Sequence, residues 1–96
     1  MNSKLKSDSM EDLFKAILTL DNIEECYAFF DDLCTAQELK AIAQRFQVAG
    51  MLYKKKVYSE ISNVTGASTA TISRVNRSLN FGSDGYSSVL KKTEEL

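Results

Sequence analysis

The 96-residue sequence contains no histidine, no proline and no tryptophan, and only four glycines. Histidine is the commonest general base and metal ligand, so its absence argues against most catalytic triads, zinc sites and haem sites. The scarcity of proline and glycine leaves few residues that interrupt a helix. The composition therefore favours helices joined by short turns, and it argues against an enzyme and against a metal site.

Cysteines and long apolar runs are scarce as well. Cys26 and Cys34 lie eight residues apart without a C-x-x-C pair, so the sequence supports neither a metal site nor a redox motif. We expect Cys26 to be a small core residue and Cys34, which precedes a helix cap, to be exposed. No apolar run approaches the length of a membrane span, and we predict a cytoplasmic protein with reduced thiols and no membrane partner.

Charge is distributed unevenly along the chain. The net charge is only −1, but residues 1–38 carry three basic and nine acidic side chains, whereas residues 39–93 carry nine basic and two acidic ones. A basic segment of this kind favours a polyanionic partner such as nucleic acid. The alternative is a solvated surface on which the charges happen to segregate.

Apolar residues at intervals of three and four predict two helices in the acidic part of the chain. The first begins near Asp8 or Ser9. The second is capped by Asp21, with Glu24 as its partner in a capping box. The apolar stripes consist of Met10, Leu13, Phe14, Ile17 and Leu18 in the first helix, and of Ile23, Cys26, Tyr27, Phe30 and Leu33 in the second.

A third, longer helix opens with the capping box of Thr35 and Glu38 and runs to about Tyr53. Gly50 lies in its last part, where we expect the close approach of a neighbouring helix. Three apolar stripes offer more apolar surface than a chain of this size easily hides, so we predict a homodimer with an interlocked core, with a monomeric bundle as the alternative. The third stripe consists of Leu39, Ile42, Ala43, Phe46 and either Ala49 or Gly50.

A helix-turn-helix pattern follows the basic run at residues 54–56. Ile61 and Val64 are spaced to anchor a first short helix, and Gly66 stands where the chain turns with a positive φ. Ser68 is placed to cap the second helix. The apolar seam of that helix consists of Ile72, Val75 and Leu79.

The face opposite this seam carries small, hydroxyl-bearing and basic side chains that suit a DNA major groove. Short side chains allow the helix end to approach closely, and hydroxyl groups can donate to base edges or phosphates. The alternative is an ordinary helical hairpin with a polar outer face. The candidate DNA-binding residues are Lys55, Lys56, Ser68, Thr69, Ala70, Thr71, Ser73, Arg74 and Arg77.

The stretch from Thr35 to Leu79 resembles the Trp repressor family. The resemblance rests on the Thr-x-x-Glu opening, the long helix that contains Arg45, and the string from Gly66 to Arg74. The strings Ser-Glu-Ile and Thr-Gly-Ala-Ser-Thr-Ala-Thr-Ile-Ser-Arg-Val are most similar to its YerC/YecD branch. The resemblance implies an all-α fold of about six helices and an intertwined homodimer whose two heads bind adjacent major grooves of a two-fold, double-stranded DNA operator.

The resemblance also implies a small-effector pocket formed by Arg45, Arg74 and Ser78, which match the tryptophan ligands of the family. Two departures bear on the ligand: Val75 replaces a glycine beside the indole, and the interval from Arg45 to Gly66 is one residue shorter. An added isopropyl group in a planar slot costs about 1–3 kcal/mol. L-tryptophan, another small effector and ligand-independent DNA binding stay open as alternatives.

These patterns predict one helical DNA-binding domain over residues 1–96, with dimerisation helices at 8–55, a helix-turn-helix at 58–79, a loop at 80–85 and a closing helix at 85–96. We expect residues 1–7 to form an arm without regular structure. The predicted function is that of a sequence-specific transcriptional regulator, in particular a repressor. The alternative is a helical protein-interaction module that does not recognise DNA sequence. An enzyme is not predicted, because no base, nucleophile and oxyanion site occur together in the sequence.

Overall fold

The computed structural model describes residues 4–94, which form six α-helices and no strand. The chain divides into two compact units, Met1–Thr35 and Ala36–Leu96. The predicted all-α fold of about six helices is confirmed. The first unit holds α1 (Asp8–Ile17) and α2 (Ile23–Leu33), and the second holds α3 (Ala36–Tyr53), α4 (Tyr58–Thr65), α5 (Thr69–Phe81) and α6 (Gly85–Glu94).

Helix α1 begins at Asp8, as predicted. The hydroxyl oxygen of Ser7 accepts a hydrogen bond from the backbone N–H of Met10 at 3.2 Å, which satisfies one of the free donors of the first turn. Ser7 therefore belongs to the helix cap, at the end of the segment for which we expected no regular structure. Residues 1–3 of that segment lie outside the described residues.

The predicted cap of α2 is wrong by one residue. Asn22, not Asp21, is the N-cap, and its side-chain oxygen accepts a hydrogen bond from the N–H of Glu25 at 2.8 Å. The carboxylate of Glu25 in turn accepts from the N–H of Asp21 at 2.9 Å. The sequence allowed both registers, because Asp21 and Asn22 are equally good caps and each has a glutamate three residues later.

Neither α1 nor α2 contains a buried residue. The side chains of Ile23 and Tyr27 are 70% and 72% exposed, although both lie on the predicted apolar stripe of α2. Cys26 is exposed as well, so its predicted place in the core is wrong for the single chain, and Cys34 is half-buried where we expected exposure. An apolar stripe predicts which face of a helix is apolar, but not whether another helix covers it.

The core of the second unit lies between the C-terminal part of α3 and the three helices that follow it. Helix α3 packs against α4, α5 and α6. Only part of its predicted stripe is buried, since Ile42 and Phe46 are 45% and 40% exposed. The later helices instead cover the last turns of α3. The buried residues are Val48, Ala49 and Leu52 of α3, Ile61 of α4, Ile72 and Val75 of α5, Leu90 of α6, and Ala67 between α4 and α5.

The end of the chain departs from the predicted boundaries. Helix α5 continues to Phe81, so residues 80 and 81 are helical and the predicted loop shortens to residues 82–84. Leu90 is buried and Tyr86 packs against the core, whereas Val89 on the predicted apolar side is 47% exposed. Residues 95 and 96 of the predicted closing helix lie outside the described residues. Within residues 4–94, no helix is long and apolar enough to cross a membrane.

Gly50 meets α6 at an ordinary distance. A Cβ atom built on Gly50 would lie 3.8 Å from Cδ2 of Leu90, which is a normal van der Waals contact. Helix α6 is thus a neighbour of Gly50, but it does not approach closely enough to require glycine, and alanine would fit at this position.

Two other glycines are required for different reasons, and this difference gives a stability prediction. Gly66 has φ +72° with free space around it, so we expect Gly66→Ala to lower the free energy of unfolding by about 1 kcal/mol through backbone strain. A Cβ at Gly82 would overlap the carbonyl oxygen of Ser78, and Gly82→Ala should cost about 2–3 kcal/mol because backbone atoms must move. Urea unfolding at one fixed protein concentration measures both costs.

Gly85→Ala is the matched control for these two variants. Gly85 has no neighbour within 4 Å of a built Cβ and begins α6, so alanine should be neutral or slightly stabilising there. A Gly82→Ala variant as stable as Gly85→Ala would contradict the steric argument.

Candidate nucleic-acid interface

The turn between α4 and α5 has the predicted geometry. Gly66 is in the left-handed region at φ +72°, and its N–H donates to the carbonyl oxygen of Ser62 at 2.9 Å, which ends α4. The hydroxyl of Ser62 donates to the carbonyl oxygen of Ala67 at 3.1 Å, and the N–H of Ala67 donates to the hydroxyl oxygen of Thr65 at 3.1 Å. The turn is therefore held by local hydrogen bonds on both sides of the glycine.

One further contact ties this turn to α3. The side-chain amide of Gln44 donates to the carbonyl oxygen of Thr65 at 3.1 Å, across 21 residues of sequence. The sequence analysis singled out neither residue. Thr65 next to a turn glycine carried a local signal, because threonine hydroxyls often bond to turn backbone. Gln44 carried none, because its partner is set by the packing of α3 against α4.

Helix α5 begins as predicted, with Ser68 as its N-cap. The hydroxyl oxygen of Ser68 accepts from the N–H of Thr71 at 3.1 Å, and the same hydroxyl lies 3.1 Å from the hydroxyl of Thr71. The Ser68 hydroxyl is thus engaged within the protein. Thr71 is the acceptor of that bond, and a hydroxyl group that accepts one bond can still donate another.

The inner side of the helix-turn-helix is mostly as predicted. Ile61 and Ile72 are fully buried, Val75 is 2% exposed, and Leu79 packs against the same core. Val64 is the exception: it is 58% exposed, so it does not anchor α4. Ala67, which follows Gly66, is buried in the core.

The outer side of α5 carries the predicted candidate residues on one accessible surface, with no acidic side chain in the helix. Thr71 is half-buried because it joins the cap. Lys55 and Lys56 lie just after α3, and Lys56 forms an ion pair with Glu60 at 3.8 Å in which both side chains are about half exposed. We refer to the exposed candidate residues of α5 as the α5 outer surface; they are Thr69, Ala70, Ser73, Arg74 and Arg77, with Ser68 at the cap.

Comparison with known proteins assigns this arrangement to a family. The sequence profile described as Trp repressor protein matches residues 8–94. The chain belongs to the Trp repressor family. Members of this family are DNA-binding regulators of transcription rather than enzymes, and the resemblance noted in the sequence is confirmed over nearly the whole described chain.

Three relatives are similar to this chain, and the similarity to YerC places it in the YerC-like branch of the Trp repressor family. YerC of Bacillus subtilis strain 168, described as an uncharacterised protein, is 51% identical over 92 residues, which cover 96% of this chain and 88% of YerC. A crystal structure of a TrpR-like protein from Eubacterium eligens superposes with a TM-score of 0.93 at 53% identity, covering 99% and 98% of the two chains. A Staphylococcus aureus structure, provisionally described as a Trp repressor, gives 0.91 at 52% identity, covering 95% and 91%.

The effector pocket implied by the Trp repressor resemblance involves residues of two helices. Arg74 and Ser78 lie one turn apart on α5, and Arg45 lies on α3; all three are exposed. Ser78 lines a cavity of about 580 Å³ together with Phe46 and Tyr86, and neither arginine contributes to its wall. Whether these residues bind a ligand therefore stays a prediction for this Trp repressor family member.

Val75 bears on the same question. Its side chain belongs to the core beside Ile72 and is 2% exposed. In this Trp repressor family member, the position that the resemblance places beside the indole is therefore filled by a well-packed core residue.

Proposed function

We propose that this protein is a sequence-specific DNA-binding regulator that acts as a repressor and inserts the N-terminal half of α5 into the major groove. The observation that carries the proposal is the α5 outer surface, exposed beyond a glycine turn and a serine cap while Ile72 and Val75 hold the opposite side in the core. A helix held by its inner side in this way is rigid enough to read bases with its outer side.

The chemistry of this surface matches the contacts that DNA requires. Ala70 and the methyl group of Thr69 allow close approach and can meet a thymine methyl group, whereas the Ser73 hydroxyl can bond to a base edge or a phosphate. Arg74 and Arg77 can reach guanine or a phosphate. Lys55 and Lys56 supply phosphate contacts outside the helix, which add affinity without sequence preference.

We further propose that the regulator is a homodimer, because one chain leaves the apolar sides of α1 and α2 uncovered. Phe14 is 50% exposed, Leu18 84%, and Tyr27 72%. Isolated exposed apolar residues are ordinary, but three helices that each expose part of an apolar stripe are typical of an interface with a second copy. Two α5 helices related by a two-fold axis would then contact two half-sites of one operator.

Selection of bound sequences from a random DNA pool tests this function. Enrichment of a palindromic motif with half-sites about 10 base pairs apart, or a multiple of that spacing, supports both sequence recognition and the dimer. An unenriched pool would contradict sequence recognition and favour the helical protein-interaction module. A single, non-palindromic half-site would leave recognition intact and contradict the dimer.

Substitution of Thr71 and Arg74 gives a prediction about specificity. We expect Arg74→Ala or Thr71→Ala to reduce the preference for the selected operator over scrambled DNA by about 1–3 kcal/mol, because each removes a contact to base edges. Lys56→Gln is the matched comparison, since losing a phosphate contact weakens binding to all sequences alike. Fluorescence anisotropy with both DNA duplexes measures the two affinities. Equal binding of parent and α5 variants to every duplex would contradict the assignment of α5 as the reading helix.

The small effector gives a separate prediction. We expect calorimetry with millimolar L-tryptophan to give no binding heat, because the isopropyl group of Val75 replaces a glycine beside the indole and lies in the core. Saturable heat that is lost in both Arg45→Ala and Arg74→Ala would contradict this expectation and restore the tryptophan pocket.

A further inference from the structure

A cavity of about 500 Å³ lies between the end of α3, the second half of α5 and the start of α6, entirely within the second unit. This volume is in the range of small-molecule sites, about 300–1,000 Å³. We call it the lysine cavity. Its polar wall consists of Tyr53, Lys55, Lys56, Asn76, Asn80 and Ser87.

The lysine cavity is separate from the 580 Å³ cavity that Ser78 lines. Asn76 and Ser78 are two positions apart on α5, which places them about 200° apart around the helix axis. Asn76 lines the lysine cavity and Ser78 lines the 580 Å³ cavity, so the two cavities lie on opposite flanks of α5. Occupation of one does not require occupation of the other.

The wall of this cavity is positively charged. It contains two lysines and no carboxylate. Lys56 is partly neutralised by Glu60 at 3.8 Å, whereas Lys55 has no ion-pair partner among residues 4–94. An anion that entered the cavity would therefore meet the uncompensated ammonium group of Lys55. The Lys56 ammonium group could also bind the anion, because its ion pair with Glu60 is exposed and weak.

The backbone of Lys55 adds an independent observation. Lys55 has φ +65°, a left-handed conformation that glycine adopts freely and that a side chain with a Cβ disfavours. The turn is closed by backbone hydrogen bonds from Lys55 to Leu52 at 2.9 Å and from Lys56 to Met51 at 3.0 Å. A glycine would adopt this conformation without that cost, so the lysine occupies the turn with some backbone strain, a feature that recurs at binding sites.

Asn76 and Asn80 supply a neutral hydrogen-bond donor in the same wall. The Asn80 amide donates to the backbone oxygen of Asn76 at 2.9 Å and to its side-chain oxygen at 3.0 Å. This contact orients the Asn76 amide and occupies its oxygen. Its Nδ2 group has no hydrogen-bond partner among the described residues and remains available to a ligand.

We propose that the lysine cavity binds the phosphate group of a small ligand. Lysine ammonium groups are point charges that commonly bind phosphate. A phosphate group carries a charge of about −1.5 to −2 at pH 7, which two ammonium groups can balance, whereas a carboxylate carries a single charge. The Asn76 amide adds a donor from a second direction. The cavity is larger than one phosphate ion requires, which leaves room for the rest of a phosphorylated small molecule.

A bound phosphate group would join α3, α5 and α6, because the lining residues come from all three elements or their ends. Its binding would therefore restrict the movement of α5 relative to α3 and α6. The proposal concerns the single chain and does not depend on DNA recognition, so either can fail without the other.

Titration of the full chain with inorganic phosphate tests the proposal. Amide NMR spectra are recorded against sodium chloride at matched ionic strength. We expect saturable shifts confined to the lysine cavity, including the Asn76 side-chain amide. Lys55→Gly removes the ammonium group while relieving the backbone strain, so it should fold well and bind phosphate about tenfold or more weakly. Lys54→Ala removes an equal charge one residue away, outside the wall, and should bind like the parent.

Three results would overturn the proposal. The first is the absence of saturable shifts at tens of millimolar phosphate. The second is equal weakening by Lys54→Ala and Lys55→Gly, which would reduce the effect to general attraction by a basic segment. The third is a response of the cavity residues to duplex DNA but not to phosphate, which would assign the lysines to the DNA backbone instead.

Discussion

Raising the salt concentration from about 50 to about 200 mM is expected to weaken operator binding by roughly a thousandfold to a hundred-thousandfold, if the dimer makes six to ten phosphate contacts. Each contact releases condensed cations from DNA, and added salt opposes that release. The basic groups that can make these contacts are concentrated after residue 38, whereas the net charge of the chain is −1. Local charge, not net charge, should therefore govern the salt dependence.

The slope of log affinity against log salt concentration provides the measurement. Lys56→Gln should reduce this slope by about 1 for each phosphate contact removed. The ion pair of Lys56 with Glu60 does not prevent such a contact, because it is long and about half exposed on both sides. Affinity that hardly changes with salt would contradict phosphate contacts by these lysines and arginines.

Ile72→Ala is expected to lower the free energy of unfolding by about 2–5 kcal/mol. Ile72 is fully buried on the inner side of α5, so its truncation leaves a cavity between α5 and the helices against which it packs. Small proteins are stable by only about 5–15 kcal/mol, and a loss of this size removes much of that margin. The same variant should lose operator binding, because the reading helix would no longer be held in place.

Val64→Ala is the matched control, since the sequence assigned Val64 and Ile61 equal roles as anchors of α4. Val64 is 58% exposed, and its truncation should change the free energy of unfolding by no more than about 0.5 kcal/mol. Urea unfolding should be measured at one protein concentration, because the stability of a dimer depends on it. Similar losses for Ile72→Ala and Val64→Ala would contradict the described core.

The helix-turn-helix was the part most accurately predicted from sequence. Gly66 has the expected positive φ, Ser68 caps α5, and the seam residues Ile72 and Val75 are buried. The turn and the cap depend on residues within about four positions of one another, so the local sequence carries the information. Where two local solutions were equivalent, as for Asp21 and Asn22, the sequence could not choose between them.

Predictions that depended on contacts between helices were less accurate. Val64 and Phe46 both follow the apolar period of their helices, yet both are exposed. The loop expected at residues 80–85 shortens to residues 82–84, because α5 continues to Phe81 and Asn80 donates back to Asn76 within it. The lysine cavity had no sequence signal, since its wall combines residues from separate stretches of the chain.

The sequence by itself determined the helical class, the family and the register of the helix-turn-helix, because helix periods, caps and the turn glycine act over a few residues. The placement of arginines and hydroxyl groups on one side of α5 also led to the prediction of a recognition surface. Only the tertiary structure decided which apolar residues are buried, that Gln44 supports the turn, and that Lys55 shares a cavity with Asn76. Burial and cavities arise where separate helices meet, and a period along one helix does not specify which helix covers it.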